Sequence, residues 1–501
     1  MSTHRSTQIG KFTARVVSWM FLGLAAAMGV CAVAPYLADA SGLSETPFQH
    51  ADLMTMVVSA ALTAALGLAL AFYSRTLDVK KQQVRRRDAV VIVTLIWASV
   101  TLVGTLPYML GTDIPMSDAL FESASGFTTT GATIFTHIED TVPRPLLLWR
   151  SFTQWLGGMG IVVLFVAVFP NLGVGAKHLF KNEVASVSSS DLRPRITQTS
   201  SALWKLYVVL TILAFATYAS LGMGNFDAVC HALTTLGTGG FSTKSASIAA
   251  FDHPGIETAV IVFMILGGIN FALYYAALRT RRISTFMRST EFRVYASLIM
   301  GLTLIIAFWM LPVYGSVLTS LRHALFMVAT TLTSTGYAID HHSAFGQPVL
   351  MLFLFMMVFG GCAGSTSGGL KLSRLVLLSK ANWMMIRRSV RPSVVHVARV
   401  DGKAVAETTL MDVATLCLVY VACLFVGTLV ITVIEPVEIP TAFGAMLTSI
   451  SNMGPAPFHV GEDNFAHYSA LSKGTFSVAM IIGRLEFFTV LALLLPDTWK
   501  H

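Results

Sequence analysis

SDALFESASGFTTTGAT, residues 117–133, begins polar, continues as a short semi-apolar helix pattern and ends in small residues around Gly131. Three further stretches share the same plan: NFDAVCHALTTLGTGGFST (225–243), LRHALFMVATTLTSTGYAID (321–340) and TAFGAMLTSISNMGPAP (441–457). Aligned on their "TG-like" centres, Gly131, Gly239, Gly336 and Gly454 become equivalent positions. Ser117, Asn225 and Thr441 are N-cap types for the short helices. Such a helix cannot cross a bilayer, but it can dip in and aim its partially negative C-terminus at the membrane centre. The strand that climbs back out has no sheet partner, so its carbonyls have to line a polar path. Taken singly, each loop reads as an ordinary turn. Four in register read as a ring of carbonyls able to replace a cation's hydration shell.

The segments around the loops support membrane insertion. The 501-residue chain is 54% apolar and only 12% charged, with mean hydropathy +0.69, against about 25% charge in ordinary soluble proteins. Runs approaching the ~20 residues needed to span hydrocarbon recur at Val16–Leu37, Leu53–Tyr73, Val90–Leu110, Leu146–Phe169, Leu203–Leu221, Thr258–Leu278, Val294–Leu311, Leu410–Ile434 and Phe476–Leu495. Val349–Phe359 is short by itself and makes a tenth span together with the residues C-terminal to it. Each of the four loops lies between two spans. The predicted class is an all-α integral membrane protein.

The net charge of +8 has a topological reading. Arg75, Lys80, Lys81, Arg85, Arg86 and Arg87 fill one loop, Arg279, Arg281, Arg282 and Arg288 another, and 371–403 carries eight basic residues. The alternate loops are poor in them: 38–52 has none and 112–145 only Arg144. This is the positive-inside pattern. It places both termini in the cytoplasm and the basic loops at the lipid surface, with no need for nucleic acid. Residues 1–15 followed by an apolar run and Ala38-Asp39-Ala40 resemble a signal peptide, but the run exceeds the usual 7–15-residue h-region, so a retained helix is expected. Cys31, Cys230, Cys362, Cys417 and Cys423 form no CxxC pair, and His231, His323 and His459 show no metal-ligand spacing. GxSxG is absent and no catalytic constellation is recognisable, so an enzyme is not expected.

GGCAGSTSGGLK (360–371) has the glycine spacing of a Walker A loop, but Lys371 comes one residue late and the stretch interrupts a membrane span. Gly158-Met159-Gly160 likewise lacks the third glycine of a dinucleotide fingerprint. Glycine and small hydroxyl residues weaken helix, and unwound backbone at membrane depth has to face a water-filled cavity. Arg484, in the last span, costs at least ~2.5–3.5 kcal/mol there unless it faces protein or water. Glu486 is an obvious ion-pair candidate, yet residues two apart do not face each other on a helix. Glu122 has two readings, a cation-concentrating acid at the mouth or a structural group.

TTTGA (128–132), TGGFST (238–243), TSTGY (333–337) and SNMGP (451–455), with QWLGGMGIVV (154–163), GGCAGSTSGGLK and GRLEFFTVL (483–491), resemble the TrkH/KtrB superfamily of potassium transporters. The extra spans before Arg85 point to its TrkH/TrkG branch. The resemblance implies four M1–P–M2 repeats around one pore plus two extra N-terminal helices. The segments are then 1–88 (helix pair and basic loop), 89–180, 181–290, 291–400 (with the gating loop) and 401–501. It implies potassium uptake across the bacterial inner membrane by a homodimer, with regulation by a cytosolic TrkA-type subunit binding NAD(H) or ATP/ADP, and no organic cofactor in this chain. Potassium contacts carried over are Thr129, Thr130 and Gly131; Gly237, Thr238 and Gly239; Ser334, Thr335 and Gly336; Asn452, Met453 and Gly454. The gate comprises Gly360, Gly361, Gly364, Ser365, Thr366, Ser367, Gly368, Gly369 and Arg484. Glycine rather than serine at 131 favours potassium within this superfamily. Met453 supplies no hydroxyl and Pro455 fixes its own φ, so the ring is expected to be only pseudo-fourfold. The competing readings are a Kdp-type pump subunit and a sodium- or proton-coupled carrier. Such carriers usually show two related halves, whereas this chain shows four like units.

Overall fold

A computed structural model describes residues 2–40, 50–76, 86–160, 196–340, 346–391, 397–455, 457–458 and 464–496. It is mostly helical. Among the described residues six helices are long and apolar enough to cross a membrane: Gln8–Pro35, Asp52–Tyr73, Asp88–Gly111, Ser200–Ser220, Thr290–Tyr314 and Glu407–Ile434. Their outward side chains, such as Phe308, Leu418 and Leu429, are exposed apolar groups suited to lipid.

Two expected spans are broken rather than continuous. Thr258–Leu278 divides into Pro254–Gly267 and Phe271–Thr280, bent by 86°. Gly267 and Gly268 end the first helix, and the Asn270 side chain accepts from the Ala272 N–H at 2.8 Å to cap the second. Phe476–Leu495 divides at Arg484, and Ala470–Arg484 meets Phe488–Leu494 at 109°. Positive φ at Glu486 (58°) and Phe487 (37°) makes that corner. Arg484 therefore ends a helix, where sequence alone places it mid-span. Helix also ends early in Leu146–Phe169, covering Arg144–Gly158; residues 161–195 lie outside the described residues.

Four short helices, Met116–Phe127, Asn225–Gly237, Val317–Leu332 and Ile439–Ser451, sit deep in the molecule. Several of their hydroxyls bond their own backbones, as when Thr234, Thr331 and Ser449 donate to carbonyls four residues back at 3.0, 2.7 and 2.9 Å. This removes the penalty of burying them. The N-cap expectation fails for Ser117, Asn225 and Thr441, which lie inside the first turn. Pro115, Gly224 and Glu438 occupy the caps without side-chain bonds. Proline in the first turn of Ile439–Ser451 pre-sets φ and starts that helix earlier. Only the third of these helices has a side-chain cap, with Ser316 accepting from Thr319 N–H at 3.5 Å.

Candidate functional site

Each of the four short helices ends in the same turn. Thr129, Thr238, Ser334 and Asn452 adopt left-handed φ of 58°, 51°, 54° and 52°, a conformation that costs ~1–3 kcal/mol for residues other than glycine and persists where surroundings enforce it. The next amide donates back five residues in every case: Thr130 to Ser125, Gly239 to Thr234, Thr335 to Thr330 and Met453 to Thr448, at 2.9, 3.0, 2.8 and 3.1 Å. Three left-handed glycines come next, Gly131 (82°), Gly240 (77°) and Gly336 (85°), with Gly454 in the corresponding place. The structure thus moves the second loop by one residue. By backbone geometry Gly240, not Gly239, is equivalent to Gly131, and the stretch in register with 129–131 is Thr238-Gly239-Gly240 rather than Gly237-Thr238-Gly239. Two consecutive glycines make the choice invisible in the sequence.

The four turns close on one another in order. A Cβ at Gly131 would stand 2.0 Å from the Gly239 carbonyl oxygen, and one at Gly240 would stand 2.0 Å from that of Thr335. A Cβ at Gly336 would meet Gly454 N at 3.1 Å, and one at Gly454 would meet the Gly131 carbonyl at 2.8 Å. First meets second, second third, third fourth, and fourth first. All four glycines line one cavity of about 210 Å³ that opens outward past Lys244, Ser245 and Asp340. At its rim Glu139 accepts from the Ser245 amide (2.8 Å) and hydroxyl (2.5 Å). Burial alone would raise its pKa, but these bonds and Lys244 outweigh that and hold it below the usual carboxylate value.

Directly beneath lies the stretch that resembled a phosphate loop. Helix Gln347–Val358 stops, residues 359–371 run as loop, and Leu372–Val390 resumes. Phe359 and Leu370 pair in parallel at its base. Its tip is fastened to the turns: Gly368 N–H donates to Ser334 Oγ at 2.5 Å, and a Cβ at Gly368 would stand 2.5 Å from the Ser451 oxygen. Thr366 Oγ1 donates to the Gly267 carbonyl and Cys362 N–H to that of Gly268, at the first helix break. Arg484 joins everything at this level. Its guanidinium donates to Thr129 Oγ1 (3.2 Å) and to the carbonyls of Thr366 (3.1 Å), Gly157 (2.5 Å) and Gly158 (3.0 Å). Glu486 pairs instead with Arg374 at 2.6 Å; the corner at residues 486–487, not helical spacing, turns it away from Arg484. A second cavity of about 100 Å³ lies below, lined by Gly368, Lys371, Asn452 and Arg484 among others.

This arrangement has known relatives. The TrkH family model, described as a cation transport protein, matches residues 52–497. The chain belongs to the TrkH family. The Trk system potassium uptake protein TrkH of Halomonas elongata is 37% identical over 458 residues, 90% of this chain and 93% of that one. Its counterpart from Salmonella typhimurium is 35% identical over 427 residues, 84% of this chain and 88% of the relative. The crystal structure of the potassium transporter TrkH from Vibrio parahaemolyticus superposes with a TM-score of 0.86 at 29% identity, covering 98% of this chain and 99% of that one.

In this TrkH-family chain several supporting residues escaped sequence reasoning. Glu122 is not a mouth acid; it is fully buried and pairs with the equally buried Arg150 at 3.2 Å. Its other oxygen accepts from Thr133 Oγ1 (2.5 Å) and Ile134 N–H (2.7 Å), just beyond the first turn. Arg150 also donates to Thr133 Oγ1 at 3.0 Å and lies 4.1 Å over the Phe241 ring, beside the second. Gln154 donates to the Gly239 carbonyl (2.8 Å) and accepts from Phe241 N–H (3.0 Å). Tyr337 Oη, from the adjoining third turn, bonds Thr234 and Thr235. One helix, Arg144–Gly158, carries both Arg150 and Gln154 one turn apart, a polar i, i+4 pair in an apolar run. That spacing was the available signal. No cluster of three or more His, Cys, Asp or Glu able to hold a metal occurs among the described residues.

Proposed function

We propose that the chain mediates potassium uptake through the ring of four turns, with carbonyls of 129–131, 238–240, 334–336 and 452–454 taking the place of water around the ion. The observation that carries this reading is the closed order of the turns, each glycine abutting the backbone of the next around one cavity; carbonyls turned to that cavity replace an ion's hydration shell in this reading. The short helices add their C-terminal partial negative charge. First and third strands are alike, with Thr128–Thr130 and Thr333–Thr335 hydroxyl pairs at 2.7 Å; second and fourth carry Gly-Gly and Met-Gly, so selectivity is that of an imperfect fourfold site.

In this reading the chain is built as four M1–P–M2 repeats following two N-terminal helices, with both termini in the cytoplasm of a bacterial inner membrane. It works as a homodimer in the Trk system. The loop 360–369 and Arg484 form the gate, which a cytosolic TrkA-type subunit binding NAD(H) or ATP/ADP controls. Arg484 contributes a fixed positive charge directly below the ring, raising the barrier for a cation until the loop shifts. The test is growth at limiting potassium of a bacterium stripped of its own uptake systems. Rescue by the membrane-inserted chain, with or without a TrkA-type partner, is expected; no rescue overturns the proposal.

A further inference from the structure

Glu291 stands in the first turn of Thr290–Tyr314, but its carboxylate does not serve that helix, whose cap is Ser289, accepting from Phe292 N–H. Oε1 instead accepts from Ala363 N–H at 2.7 Å and from Ser373 N–H at 2.9 Å. Ala363 is inside the loop beneath the ring; Ser373 is an otherwise partnerless N-terminal amide of the helix that resumes after it. One oxygen thus gathers the loop and its exit onto a third element, through charge-assisted bonds of the stronger kind.

The neighbouring residue leads outward. Thr290 N–H donates to Asp401 Oδ1 at 2.7 Å. Asp401 and Gly402, with φ of 51° and 78°, form the two-residue turn of a hairpin between Arg399–Val400 and Lys403–Ala404. The hairpin is also held to the helix after the loop: Lys380 Nζ donates to the Arg399 carbonyl, and Ala398 and Val400 pack with Leu377 and Met384. A small exposed element on the basic, cytoplasmic side is therefore tied to both helices that the loop depends on.

We infer that Glu291 is a positioning residue, a latch holding loop 360–369 against the ring, and that the 399–404 hairpin is the handle by which an event at the cytoplasmic face loosens it. The inference rests on reading that loop as a gate. Losing Oε1 frees two loop-side amides without touching the ring, so flux changes while ion preference does not. Losing Asp401 Oδ1 weakens the link from hairpin to Thr290 and acts in the same direction, less strongly.

The test is rubidium flux into vesicles containing purified full-length protein without any partner. Glu291→Ala is expected to raise flux roughly three- to tenfold, as when a two-state element loses a charge-assisted bond, with the rubidium-to-sodium ratio unchanged. Glu291→Gln keeps an acceptor oxygen and is expected to fall between Glu291→Ala and the parent. Asp401→Ala is expected to raise flux about twofold, the smaller bias of one peripheral bond. Unchanged or lower flux in Glu291→Ala, with parent-like melting and monodispersity, overturns the latch. Should that variant fail to assemble, Glu291→Gln decides, and parental flux there overturns it equally. Deletion of residues 364–368 separates the two readings. A raised flux on deletion with no effect at Glu291 removes the latch and leaves the gate; no rise on deletion removes both.

Discussion

Arg150→Met is the most informative single change behind the ring. Arg150 is 1% and Glu122 0% exposed, so neither charge is screened by solvent. Removing one partner of such a pair leaves an uncompensated buried charge and costs about 3–5 kcal/mol; loss of the desolvated contact with the Phe241 ring adds up to ~2 kcal/mol. Glu122→Gln leaves Arg150 its bond to Thr133 and its place over Phe241, and is expected to cost less. The double variant replaces a charged pair with two neutral groups, so it should be more stable than Arg150→Met alone, with a coupling of about 1–3 kcal/mol between neighbours. Melting of the purified protein in detergent gives the order: parent highest, double variant above Arg150→Met. Because Thr133 and Ile134 come directly after the first turn, the rubidium-to-sodium preference should fall in Arg150→Met and partly return in the double variant. A melting loss in the double variant equal to the sum of the two single losses refutes the coupled-pair reasoning.

The same contacts carry further expectations. Gly131→Ser and Gly240→Ser each place a Cβ 2.0 Å from a neighbouring carbonyl oxygen; both should lower the potassium-to-sodium permeability ratio by about tenfold, or ~1.4 kcal/mol. A parental ratio in vesicle measurements would remove position 240 from the ring. Arg484→Ala deletes the charge beneath the turns and four hydrogen bonds, so partner-free flux should rise; unchanged flux and unchanged regulation exclude it from the gate. Glu139 has a lowered folded pKa, so its tie to Ser245 stabilises above the unfolded carboxylate value and is lost as pH falls through the folded one. The melting difference between parent and Glu139→Ala should therefore be full near neutrality, begin to shrink near the unfolded carboxylate value of about 4.3 and vanish only once the pH is below the lowered folded value; a difference independent of pH contradicts the assignment.

Much of the architecture is local and therefore legible. Apolar runs such as Leu53–Tyr73 and Leu410–Ile434 announce spans by length, and Gly360–Gly369 announces a break by its five glycines and its small hydroxyl residues. The breaks at Gly268 and Arg484 are less visible, because neither carries proline and hydropathy averages across the corner. The Glu122–Arg150 pair was hidden for another reason. Nothing in either flanking sequence distinguishes an acid at the mouth from one packed behind a turn, since only the arrival of Arg150 from the next helix settles its environment.

The sequence by itself determined that there are four turns and which helices deliver them, because hydropathy and small-residue clusters act within a few residues. Tertiary structure alone decided the second turn's register. TGG offers two glycines, and the one that counts is the one whose missing Cβ admits the Thr335 carbonyl from the adjoining strand. It also decided the partners of Arg484, since its bonds to Thr129, Thr366 and Gly157 join segments more than a hundred residues apart. Contacts of that range depend on how whole helices pack, and no local pattern encodes them.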